Sequence, residues 1–80
     1  MKKFYCGFYD PAGSKGARRA YNARTPEHAA VLFANDNAYD STFARVFVRD
    51  MDTDDLFIVE CNSVVSFYAT EVEHCDEDVQ

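Results

Sequence analysis

The last ten residues, Glu71 to Gln80, hold Glu71, Glu73, Asp76, Glu77 and Asp78 together with His74 and Cys75. Carboxylate, imidazole and thiolate are common metal ligands, and a thiol beside an imidazole is half of a nucleophilic site. Neither chemistry has its usual spacing. Zinc sites show two close ligand pairs, as in C-x2-C. Here Cys6, Cys61 and His28 stand far off in the chain, and adjacent His74 and Cys75 point apart if the segment is extended. Reactive thiolates prefer cationic surroundings, and these are acidic. No oxyanion donor or orienting third group can be assembled around the couple. The expectation is no metal, no cofactor and no enzyme.

A second acidic cluster, Asp50-Met51-Asp52-Thr53-Asp54-Asp55, starts like a calcium loop, with oxygen ligands at alternate positions. Its continuation fails. Asp55 stands where the sharp turn needs Gly, and Cys61 where the bidentate Glu belongs, with Glu60 one place early. An acidic hairpin turn is expected instead. Gly13-Ser14-Lys15-Gly16 lacks the residue order and the following helix of a phosphate loop. It is expected to be the tip of a cationic hairpin carrying Lys15, Arg18 and Arg19.

Phe43, Arg45, Phe47 and Arg49 alternate with small apolar residues, so two rings and two guanidinium groups share one strand face. Such a face stacks RNA bases in RRM sheets, but the glycine-bearing RRM signature is missing. Cross-strand packing comes first, with the arginines paired to acids such as Glu60. A protein interface comes second, since aromatics and Arg are its usual anchors; Tyr5 and Tyr9 would join it.

The elements that must position these groups follow from periodicity. Phe4 to Tyr9 is a strand with Phe4, Cys6 and Phe8 on one face. Arg18 to Arg24 returns as a second strand, with Tyr21 and Ala23 inward. Thr25-Pro26-Glu27 is a helix start: Thr caps, Pro suits the first position and Glu favours the positive end of the dipole. Ala29, Ala30, Leu32 and Phe33 continue it at helical spacing, giving a helix over about residues 26–36. Thr42 to Arg49 and Leu56 to Cys61 are strands, Asn62-Ser63 a tight turn, and Val64 to Val72 a last strand, with residues from about 74 to 80 fraying. The order ββαβββ predicts an α+β two-layer sandwich, an antiparallel sheet of four or five strands with one helix on one face. If the last strand pairs with the one before it, the acidic turn and the acidic ending meet.

Eighty residues suit a single small domain, and seven Phe and five Tyr supply its apolar area. Three cysteines make an odd set, and the start has no apolar signal region. The chain is therefore expected to be cytoplasmic and reduced, with no membrane association. Net charge is −6. Residues 1–24 carry six cations against Asp10 alone, whereas the remainder sets thirteen acids against Arg45 and Arg49. An acidic body disfavours nucleic acid as a direct ligand and favours a basic protein partner.

The expected function is therefore a non-enzymatic protein–protein interaction module. Its acidic surface comprises Asp50, Asp52, Asp54, Asp55, Glu71, Glu73, Asp76, Glu77 and Asp78. In size and charge the chain resembles the small acidic inhibitors of phages and mobile elements, including anti-CRISPR proteins. That resemblance implies an inhibitor that blocks a basic nucleic-acid-binding complex, and it carries over no site residue. The alternatives are an accessory subunit or homodimer that buries the aromatic sheet face, and a metal-dependent enzyme.

Overall fold

Alternating apolar residues build the strands, and the side each apolar set takes decides where the helix lies. A computed structural model describes residues 1–9, 18–37, 42–63 and 66–75. They form β1 (Lys2–Phe8), β2 (Arg18–Ala23), α1 (Pro26–Asn37), β3 (Phe43–Asp50), β4 (Leu56–Ser63) and β5 (Phe67–Cys75). All neighbouring strands are antiparallel, in the order β2-β1-β3-β4-β5. This is the expected α+β sandwich: one sheet and one helix. The hairpin tip with Lys15, and Asp76, Glu77 and Asp78 of the ending, lie outside the described residues.

The core is the layer between α1 and the sheet. Phe4, Cys6, Ala44, Val46, Val48, Val59 and Cys61 enter it from the strands, and Ala29, Ala30, Phe33 and Ala34 from the helix. The three alanines let the helix approach closely, and Phe33 fills the gap edge-on to Phe8, with ring centroids 4.8 Å apart. Thr25 caps α1 as its sequence position requires: its hydroxyl accepts from the N–H of His28 at 3.1 Å, and its carbonyl from Ala29. At the other end Asn37 donates to the Phe33 carbonyl, and the Tyr21 hydroxyl donates to Asp36. Asn35 accepts the N–H of Phe67 at 2.9 Å and so ties the helix to the start of β5. No helix among the described residues is long and apolar enough to cross a membrane.

Three expectations need correction. Asn62 and Ser63 are not a turn. They extend β4 and pair with Tyr68 and Phe67, and Asn62 donates to the Thr70 hydroxyl. Asn and Ser are turn formers, but two ladder rungs, one reinforced by the Asn62 side chain, outweigh that preference here. β5 runs from Phe67 to Cys75, and Val64 and Val65, expected to open it, lie outside the described residues. His74 does not fray. It pairs with Phe57 and stacks on its ring at 4.8 Å.

Asp50 does not belong to an exposed acidic surface. It ends β3 on the helix side and is only 4% exposed. Its carboxylate accepts from Lys2 at 2.7 Å and from the N–H groups of Asp52 and Thr53. The Lys2 ammonium holds the Asp50 carboxyl below its ordinary value; burial opposes this, and the two N–H groups add to it. Asp50 thus folds the β3–β4 turn, in which Asp54 takes the left-handed conformation with φ 67°.

A carboxyl depressed in the folded state stabilises above its unfolded value and loses that contribution as pH falls through the folded one. Asp50→Asn is expected to melt below wild type at neutral pH. The gap should close as pH drops below 3.8, the ordinary aspartate value. Thermal melts of both proteins between about pH 7 and about pH 2 check this.

Candidate protein-interaction surface

The strand alternation that feeds the core leaves a second face uncovered by the helix. Phe43, Arg45, Phe47 and Arg49 of β3 occupy it, flanked by Tyr5 and Gly7 of β1 and Leu56, Ile58 and Glu60 of β4. Register fixes who meets whom. Gly7 lies between Arg18 and Phe47, and the Phe47 ring lies over it: a Cβ added at Gly7 would come within 2.5 Å of that ring. Tyr5 stands beside the ring at 6.3 Å, and the Arg18 guanidinium covers it at 5.5 Å. The expected cross-strand pair also forms, with Arg45 donating to Glu60 at 2.8 Å. Arg45 in addition leans on Phe43. Such half-exposed ion pairs contribute at most about 1 kcal/mol, so their role is to orient the side chains.

β4 and β5 complete this face with acids. Glu60 is paired with Glu71, and Ile58 with Glu73. Like charges opposite one another repel, and Arg45 offsets that repulsion at Glu60. Together with Tyr9 and Cys75 these side chains border a groove of about 300 Å³. Thr70 is the extra residue at the register shift between Glu60 and Cys61, and its hydroxyl donates to the Glu60 carbonyl at 3.1 Å. That bulge puts Glu71 and Glu73, rather than Val72, on the open face.

The turn and the β5 end meet. Leu56 pairs with Cys75, and the His74 imidazole lies 3.4 Å from the Asp55 carboxylate, an ion pair when His74 is protonated. Asp52, Asp54 and Asp55 are exposed there, Asp54 bridged to Arg49 at 2.9 Å. Of the nine acids predicted for one surface, five (Asp52, Asp54, Asp55, Glu71 and Glu73) gather at this corner and adjoining edge. Asp50 is buried beneath it, and Asp76, Glu77 and Asp78 lie outside the described residues. Arg18 and Arg19 sit at the opposite edge, on β2.

The thiols divide by depth. Cys6 and Cys61 are fully buried, and burial pushes them up to about 12 and about 11 respectively. Both are core fillers. Among the described residues, no three His, Cys, Asp or Glu side chains are arranged to share a metal ion. The sequence reading missed Gly7. An isolated glycine inside an aromatic strand is the signal of a close approach, here by the Phe47 ring. Comparison with protein-family models, curated proteins and solved structures finds no match for the chain.

The tight seat of Phe47 predicts a change of sign between backgrounds. Gly7→Ala is expected to destabilise the wild type by about 1 kcal/mol, because the ring must move. In a Phe47→Ala background it is expected to be neutral or stabilising, since Ala relieves the strand cost of Gly. Denaturant unfolding of the four proteins gives the coupling directly.

Proposed function

We propose that this chain is a non-enzymatic interaction module, a small acidic inhibitor of the phage or mobile-element kind. It binds and blocks a basic, nucleic-acid-binding protein complex. The observation that carries this reading is the juxtaposition of the β3–β4 turn with the end of β5, which gathers Asp52, Asp54, Asp55, Glu71 and Glu73 at one corner and edge. Carboxylates arrayed on a rigid sheet edge offer a cationic groove the charge that a phosphate run would offer. Their presentation suits that role. The turn is pinned by buried Asp50, and β5 is held along its length by β4, so little order is lost on binding.

The consequence is measurable. Binding to purified basic nucleic-acid-binding proteins is expected to weaken at least tenfold between about 50 and about 500 mM salt. Asp52→Lys combined with Asp54→Lys and Asp55→Lys should remove it, while Glu27→Lys on the first turn of α1 should not. Nucleic acid should compete with the chain for the same proteins. A folded triple variant that binds as tightly as wild type would exclude the acidic corner.

A further inference from the structure

The open sheet face has a charge pattern that a solubilising surface does not need. Among the described residues its cations all stand on β2, β1 and β3: Arg18, Lys3, Arg45 and Arg49. Its strand acids all stand on β4 and β5: Glu60, Glu71 and Glu73. Between the two halves stand Tyr5 and Phe47, both half-buried, beside Ile58, which is only 8% exposed. Exposed aromatics accompany them, with Phe43 46% and Tyr68 49% exposed. Large apolar side chains left on an open sheet face are the mark of a covered surface.

One row across the sheet is especially ordered. Through successive pairings it runs Arg18, Gly7, Phe47, Ile58, Glu73. It starts with a cation on one edge strand, ends with an anion on the other, and has Phe47 at its middle on the central strand. Turned over about an axis along β3, the same row runs Glu73, Ile58, Phe47, Gly7, Arg18. The row is self-complementary.

We propose that a second copy of this chain covers this face, related by a two-fold axis along β3. Phe47 then meets Phe47 of the second copy at the axis. Arg18 faces Glu73 of the second copy, and Glu73 faces its Arg18, as an isologous contact requires. The axis along β3 also sets Arg45 against Arg45 and Arg49 against Arg49 of the second copy, each neutralised by its own acid, Glu60 or Asp54. A two-fold lying in the sheet plane but across the strands would stack β2 on β2 and β5 on β5, like charge over like.

Packed sheets cross at about 30°, which displaces the row ends by about 5 Å, within reach of an arginine. Five strands about 4.8 Å apart and seven residues long give roughly 550 Å² of sheet per copy. Two copies bury about 1,100 Å², just above the roughly 1,000 Å² of a specific interface. A nucleic acid fits this face poorly. The β4–β5 acids Glu60, Glu71 and Glu73 repel phosphate. The axis along β3 places both β3–β4 turns at the same end of the dimer, beyond the paired rows, while Glu71 and Glu73 enter the contact.

Sedimentation equilibrium of the purified full chain tests this. Wild type is expected to be a concentration-dependent dimer. Phe47→Asp should be monomeric. Arg18→Glu and Glu73→Arg should each weaken dimerisation at least tenfold. An equimolar mixture of those two variants should recover the wild-type dimer, because each supplies the charge the other now needs. That recovery cannot come from misfolded chains. A wild type that remains monomeric at about 1 mM overturns the proposal, as does a mixture no tighter than either variant alone. Binding of a single-stranded RNA to this face by the monomer would also overturn it. Glu73 belongs to both surfaces, so oligomeric state is read without a basic partner, and the acidic corner is tested separately through Asp52, Asp54 and Asp55.

Discussion

One helix covers one face of one sheet, and everything else follows from that limit. α1 has twelve residues and spans about 18 Å, against a sheet about 24 Å wide. It closes the core over Val46, Val48 and Val59 because Ala29, Ala30 and Ala34 bring it close. It can do nothing for the opposite face. There the chain must satisfy Phe47, Tyr5 and Ile58 by other means, and it does so partly with its own cations. Arg18 and Arg45 spread their guanidinium groups over Phe47 and Phe43. The result is a face on which rings and guanidinium groups alternate along the central strand, with cations toward β2 and acids toward β5.

The acidic corner depends on the same geometry through the turn. Asp50 is the last residue of β3 to point at the helix side, and its burial beside Lys2 closes the chain into β4. The register that follows brings β5 back alongside, so its end reaches the turn. Asp50 and Asp52, two residues apart and chemically alike, thus have opposite fates. One builds the turn, and the other is displayed by it.

Much of this was legible in the residues. Thr25-Pro26 marks the helix start, and the alternation from Phe43 to Arg49 separates core from open face without ambiguity. The Arg45–Glu60 pair follows from the same alternation once the strands are antiparallel. What was hidden depends on long-range pairing. Asn62-Ser63 has turn chemistry, and only its rungs with Tyr68 and Phe67 make it a strand. The Thr70 bulge cannot be foreseen from Thr70 itself, yet it decides that Glu71 and Glu73 share a face with Arg45. Asp50 looks like its neighbours until Lys2, forty-eight residues away in the chain, is placed beside it. The self-complementary row is equally invisible, since its five residues come from five strands.

In the two proposals the open face is assigned to a second copy and the charged corner to a basic partner, with Glu73 at the boundary between them. The open face is the more directly testable of the two. An isotope-filtered NOE experiment on a mixture of labelled and unlabelled chains reports contacts between copies alone. The expected result is a cross-peak between the Ile58 methyl of one copy and the Phe47 ring of the other. An absence of intermolecular peaks at concentrations where the chain is dimeric, or peaks confined to α1 or the Asp52–Asp55 corner, would contradict it.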